Sequence, residues 1–270
     1  MKNPLPFPPS RAVFLADAHL NQDDIHSRTF VKMASAAAAE DVSMFLLGDM
    51  FDLWFGVAGF TFDFQKPIIA RLKELRNHGL RIVYVEGNRD FHLGQEHEGT
   101  ALDLVCGDTL RFTIGGMQVH LSHGDTVNKA DLWYRFWKTI SKSRFVNWVV
   151  SFLPDWFFLS TAKRLEQKLK RYNRRHKESF PEKDCLRYAA DRFAEGIDII
   201  VLGHFHQERL MPQNWDADNN RGSETGMGES ERKKLVVVLP SWKEAYRYFY
   251  IAADGSMGFR SFTPEEPLIP

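Results

Sequence analysis

Beyond its first ten residues the chain alternates two kinds of pattern. Ala12–Ala16, Ser43–Leu47, Leu80–Val85, Gln118–Leu121 and Ile197–Leu202 are short apolar runs, and each gives way within two residues to Gly, Asp or His. Their length and their content of Val, Ile and Leu predict strands. Because the runs are mostly apolar at consecutive positions and do not strictly alternate, the strands should be covered on both faces. Between them, Phe30, Met33, Ala34 and Ala37 recur at i, i+3, i+4 and i+7. Ile68, Leu72 and Leu75 recur at i, i+4 and i+7, shortly after Pro67. These spacings predict two amphipathic helices. Strand, helix and strand in alternation imply an α/β layered domain, whose polar residues just past the strand ends collect in one crevice.

The rhythm breaks from about residue 126 to about 195. Trp133, Phe136, Trp137 and Ile140, then Leu165, Leu169 and Tyr172, then Leu186, Ala190 and Phe193 are three helical candidates in a row. The last follows Ser179–Glu182, a capping-box pattern with Pro181 inside it. A helical cap inserted between two strands is expected. From about 211 to 232 Asn, Asp, Gly, Ser and Glu take over, which predicts a mobile loop. Lys234–Leu239 and Tyr246–Ala252 then supply closing strands of one domain spanning 11–270. Residues 1–10, with four prolines and no apolar run of signal-peptide length, read as an extended tail. The longest apolar stretch, Val146–Leu159, is broken by Pro154 and Asp155 and falls short of the ~20 residues that span a bilayer.

Charge narrows the partners. Thirty-five Lys and Arg balance 35 Asp and Glu over 270 residues. There is no net field to attract a polyanion, so no nucleic-acid partner is expected. Only two cysteines occur, Cys106 and Cys185. They are too few for a disulfide framework or a thiolate zinc cage, and they fit a reducing cytoplasm.

Five short polar elements follow the predicted strands: Asp17-Ala-His19, Gly48-Asp49-x-x-Asp52, Gly87-Asn88-Arg89-Asp90, Ser122-His123-Gly124-Asp125 and Gly203-His204-Phe-His206. Any one alone is an ordinary turn; their joint placement at five strand ends is what carries information. Together they offer Asp17, His19, Asp49, Asn88, His123, His204 and His206. Imidazole, carboxylate and amide ligands without thiolate suit Mn²⁺, Fe²⁺, Co²⁺ or Zn²⁺ better than Ca²⁺. Seven side chains exceed what one octahedral ion uses beside a water, but they suffice for two ions if one carboxylate is shared. Such a pair clamps a phosphate and lowers the pKa of a shared water toward neutrality.

This ordered set, D-x-H, G-D-x-x-D, G-N, H and G-H-x-H, resembles the calcineurin-like metallophosphoesterase superfamily over about residues 12–125 and 197–252. The resemblance implies a β sandwich flanked by helices, carrying two divalent ions, with the cap as an insertion. It also implies that Asp17, His19, Asp49 and His206 hold one ion and that Asp49, Asn88, His123 and His204 hold the other. Many members place a histidine after the motif's asparagine; here Arg89 stands there. A guanidinium delivers no proton at neutral pH but grips phosphoryl oxygens bidentately, which favours a good leaving group such as another phosphate ester. Asn88 and Arg89 are thus the candidate catalytic residues. Asn88-Arg89-Asp90-Phe91, the run Gly48–Gly56, and His123-Gly-Asp-Thr followed by Asp131 and Tyr134 are similar to the branch that cleaves the pyrophosphate of acylated UDP-glucosamine in lipid A biosynthesis. That branch typically uses Mn²⁺. The likeness implies a lipid-linked UDP-sugar substrate, with Asn88, Arg89, Asp131, Tyr134 and His204 in contact with it.

The insertion supports a lipid substrate independently. Trp133–Phe158 holds ten of the chain's 36 aromatic residues, a patch suited to lining an acyl-chain cavity or dipping among headgroups. Lys163–Lys177 adds eight Lys and Arg against one Glu, so neutrality is a cancellation between a basic cap and an acidic body. The expected location is cytoplasmic, peripheral on the inner-membrane surface. No protein partner is evident. Two other readings stay open: a phosphodiesterase or phosphatase acting on a soluble nucleotide, and a non-catalytic interaction module on the same fold.

Overall fold

The computed structural model describes residues 5–22, 24–57, 59–127, 180–216, 221–222 and 232–270. In chain order the elements are β1 (Ala12–Leu15), α1 (Ile25–Ala39), β2 (Ser43–Leu46), β3 (Trp54–Phe55), α2 (Gln65–Asn77), β4 (Ile82–Val85), β5 (Asp90–Phe91), β6 (Leu104–Cys106), β7 (Thr109–Ile114) and β8 (Met117–Ser122). There follow α3 (Glu182–Ala194), β9 (Ile199–Leu202), β10 (Arg209–Asp216), β11 (Arg221–Gly222), β12 (Arg232–Val238), α4 (Trp242–Ala245), β13 (Arg247–Ile251) and β14 (Met257–Ser261).

Twelve of these strands form two sheets, ordered β14-β13-β1-β2-β4-β6 and β11-β10-β12-β9-β8-β7. β1, β2, β4 and β6 are mutually parallel, as are β8, β9 and β12. All seven strand segments read from the sequence are present, with ends shifted by a residue or two. The apolar runs have the reason expected of them: β1, β2, β4 and β9 are buried on both faces, and β8 is buried from Val119 onward. In β1, Val13 and Leu15 join a core with α1 and α2, whereas Ala12 and Phe14 join the core between the sheets. Phe45 stacks at the centre of that inner core, its ring 5.0 Å from Phe14 and 4.6 Å from Phe112. The structure is therefore a β sandwich with helices outside, an α/β arrangement as expected.

The helical faces follow the sequence spacing. Phe30, Met33, Ala34 and Ala37 are the buried residues of α1, and Ile68, Leu72 and Leu75 are buried in α2. Asp24 caps α1, its carboxylate accepting from His26 N at 3.0 Å. α3 differs in two respects. It buries Cys185, Tyr188, Ala189 and Phe193, so its inward face is rotated from the Leu186–Ala190–Phe193 stripe, and Leu186 and Ala190 are only half-buried. The capping box also fails, because α3 begins at Glu182 with Pro181 at the cap position and no side-chain capping bond. Tyr188 decides the face: its hydroxyl reaches His120 on β8 at 2.9 Å. The remainder of the expected cap, from 128 to 179, lies outside the described residues.

The segment expected to be a loop from 211 starts as strand. β10 pairs with β12 from Arg209↔Val238 to Trp215↔Arg232. Main-chain hydrogen bonding to β12 keeps this stretch extended, whatever its side-chain propensities. Short or alternating strands escaped the sequence reading. Among them β7 buries Leu110, Phe112 and Ile114 and exposes the residues between. Near the amino terminus, Leu5 and Phe7 pack against the inner core, so the described part of the tail is anchored. Cys106 and Cys185 are both buried thiols that form no disulfide. Among the described residues no helix is long and apolar enough to cross a membrane.

Candidate active site

The five polar elements leave the carboxyl ends of β1, β2, β4, β8 and β9, three in one sheet and two in the other, and they meet where the two sheets' strand ends converge. The loop after β1 runs beside the loop after β2, with Asp17 N, His19 N and Leu20 N donating to Gly48 O, Asp49 O and Met50 O. Asp17 also reaches across to the second sheet, where its Oδ2 accepts from His204 N at 2.8 Å. Its own carbonyl accepts from Ser241 Oγ at 2.9 Å. One residue thus stitches both halves of the sandwich together at the site.

Five of the seven ligand candidates, Asp17, His19, Asp49, His204 and His206, have φ between 45° and 71°. That left-handed conformation is strained for residues with a Cβ, and such strain concentrates at functional sites held by their surroundings. The strands must turn off sharply for the side chains to face inward. Close approach is as tight as it can be: a Cβ on Gly87 would lie 2.4 Å from Asp49 Oδ1.

All seven side chains come together. Ligand atoms of Asp17, His19 and His206 lie within 4.8 Å of one another, and so do those of Asp17, Asp49 and His123. Asn88 Oδ1 is 3.0 Å from His123 Nε2 and 3.2 Å from His204 Nδ1. His123 Nδ1 faces the Leu47 carbonyl at 2.7 Å, which orients the ring with Nε2 toward the centre. Burial acts to raise Asp17, but the charges of His206, His123 and His19 outweigh it and hold the carboxyl far below the usual range. Burial acts to lower His123, but Asp49, Asp17 and Asp125 outweigh it and raise the imidazole. The site's own field therefore attracts positive charge. Buried Asp17 Oδ1 and His19 Nδ1 make no hydrogen bond among the described residues. Carboxylate and imidazole donors gathered this closely fit divalent cations.

Arg89 is 3% exposed. Its Nη1 is 3.3 Å from Asp52 Oδ1 and its Nε 3.4 Å from Asp49 Oδ2, so the guanidinium stands beside the centre, held by two carboxylates. Asp131 and Tyr134 lie outside the described residues. The sequence reading gave no role to Asp52, although it is the second acid of G-D-x-x-D; besides Arg89 it lies 3.4 Å from His19 Nδ1. Ser241 was likewise missed, and no local pattern marks it.

A family model for calcineurin-like phosphoesterases matches residues 10–208. The chain belongs to that family, which makes it a metal-dependent hydrolase. More particular likenesses follow. It is 30% identical over 204 residues to a UDP-2,3-diacylglucosamine hydrolase of Pseudomonas putida, covering 73% of this chain and 82% of that protein. It is 26% identical over 231 residues to the Azotobacter vinelandii protein of the same name, covering 84% and 93%. The Histophilus somni protein of that name is 27% identical over 213 residues, covering 74% and 86%.

Proposed function

We propose that this protein hydrolyses the pyrophosphate bond of UDP-2,3-diacylglucosamine, giving UMP and 2,3-diacylglucosamine 1-phosphate. The observation that carries this reading is the convergence of seven imidazole, carboxylate and amide side chains from five strand ends on a site flanked by a buried arginine. The names of the relatives support the substrate. Two divalent cations, Mn²⁺ in our reading, supply Lewis acidity there and lower the pKa of a water toward neutrality. Asp17, His19, Asp49 and His206 hold one; Asp49, Asn88, His123 and His204 hold the other. Arg89 and Asn88 steady the phosphoryl oxygens as charge develops, and the site's hydrogen-bonded loops hold those groups in advance. The group expelled by attack at the uridylyl phosphorus, 2,3-diacylglucosamine 1-phosphate, is itself a phosphate ester and a good leaving group, so no side-chain acid is required at the position where Arg89 stands. Asp131, Tyr134 and His204 complete the substrate contacts. The aromatic and basic segment 133–177 holds the acyl chains and rests the protein on the cytoplasmic face of the inner membrane.

The test is to incubate purified protein and Mn²⁺ with UDP-2,3-diacylglucosamine, UDP-glucose or a chromogenic phosphodiester and to measure UMP or chromophore release. Turnover of the lipid substrate well above the other two supports the proposal. Turnover of the soluble substrates alone sinks the lipid assignment. Silence on all three, with His123→Ala equal to wild type in metal content, points to a non-catalytic module.

A further inference from the structure

Asp90 is fully buried, yet it lies outside the seven ligands. Its Oδ2 accepts three hydrogen bonds: from Asp49 N at 2.9 Å, Gly87 N at 2.7 Å and Tyr84 Oη at 2.9 Å. The first two donors are the main chain of the two loops that carry Asp49 and Asn88. The third belongs to β4, and Tyr84 Oη in turn accepts from Met50 N at 3.3 Å, next to Asp49. Arg89 N closes the circuit by donating to Asp49 Oδ1 at 3.0 Å. Burial, and then the charges of Asp90 and Asp49, push the Tyr84 phenol well above its usual value, so it remains a donor. One carboxylate oxygen therefore ties together two loops contributed by neighbouring strands of the same sheet. Asp49 needs such a tie, because it holds a left-handed φ of 54° that its own chain disfavours.

We infer that Asp90 is a positioning residue for the metal centre: it fixes the main chain of Asp49 and Gly87, and so sets the separation of Asp49 and Asn88 on which cation binding depends. It acts through the main chain of those two loops. Groups that orient ligands from behind typically govern metal affinity by ~10–100-fold when removed, and charge-assisted hydrogen bonds to main-chain N–H are the strong kind. This inference rests on the two-cation reading above.

The experiment titrates metal-free wild type, Asp90→Asn, Asp90→Ala and Tyr84→Phe with Mn²⁺ by calorimetry, alongside thermal melts in EDTA and kcat and KM at saturating metal. Wild type binding two equivalents tests the underlying reading separately; fewer than two counts against that reading and leaves Asp90 to be judged on affinity alone. The inference predicts graded weakening, wild type > Asp90→Asn > Asp90→Ala, reaching ~10-fold or more, with kcat falling and KM held. Tyr84→Phe should weaken binding less than Asp90→Ala, since two of the three donors remain. Should Asp90→Ala fail to fold, the near-isosteric Asp90→Asn carries the test. Variants that melt lower but keep wild-type Mn²⁺ affinity and kcat would overturn the inference, leaving Asp90 a packing residue.

Discussion

Replacing Arg89 by alanine should separate two roles that the structure joins in one side chain. The guanidinium sits 3.3–3.4 Å from carboxylate oxygens of Asp52 and Asp49, in a site where it is 3% exposed. At an effective dielectric near 20, a contact of that length is worth ~5 kcal/mol of gross attraction per carboxylate. Desolvation of the cation takes back part of this, and removing one member of such a buried group typically costs ~3–5 kcal/mol. For a chain of this size that corresponds to a fall in Tm of roughly 10 °C. The loss should be greatest in EDTA, where His123 is the cation left beside Asp49, and smaller once Mn²⁺ is bound there. Catalysis should suffer separately, with kcat down by ~10²–10³ at saturating Mn²⁺, the size seen when one donor to a developing oxyanion is removed. Arg89→Lys keeps the charge but not the fork, so it should recover much of the stability and little of kcat. Differential scanning calorimetry with and without metal, paired with UMP release, reads both quantities. An Arg89→Ala protein with unchanged Tm in EDTA would refute the electrostatic argument, and one with unchanged kcat would refute the phosphoryl contact.

Acid should destabilise the metal-free fold through two buried neutral imidazoles away from the ligands. His97, accepting from Trp54 Nε1 at 3.0 Å, is pushed down to about 4 by burial; His120 is pushed down to about 3 by burial and then by the charges of Arg192 and Arg111. Both folded values lie below the unfolded one near 6.5, so stability is complete above ~6.5 and falls as pH drops toward 4, by about 1.4 kcal/mol per pH unit for each histidine. Urea melts at pH 7.5 and 5 should show this, and His120→Gln should flatten the slope by one proton's share. Gly87→Ala, whose Cβ would lie 2.4 Å from Asp49 Oδ1 and 3.0 Å from His123 Cε1, should fold but lose most bound metal, measured by elemental analysis. Phe45→Ala should cost ~3–5 kcal/mol in denaturant melts by opening the inter-sheet ring stack, with kcat unchanged below the melting range.

The side chains that cluster at the site were legible in the sequence because each follows a short, mostly apolar run, which reads as a buried strand ending where the polar residue begins. Phe14 and Leu15 face opposite cores, yet both had to be apolar for the same run to exist. What escaped was set by contacts distant along the chain. Nothing near Asp90 says that its carboxylate reaches back 41 residues to Asp49 N. Likewise Ser241 bonds the Asp17 carbonyl across 224 residues. α3 turned its face because Tyr188 found His120, a partner that helical spacing cannot see. β10 is extended because β12 pairs with it, against the composition of its second half.

The central claim is that water, activated at this centre, attacks the uridylyl phosphorus of the lipid-linked substrate. The direct measurement is hydrolysis of UDP-2,3-diacylglucosamine in ¹⁸O-water with Mn²⁺, followed by mass spectrometry of both products. The account predicts a single ¹⁸O in UMP, none in 2,3-diacylglucosamine 1-phosphate, and no product after EDTA or with His123→Ala. Label in the lipid phosphate, or turnover indifferent to metal, would contradict it.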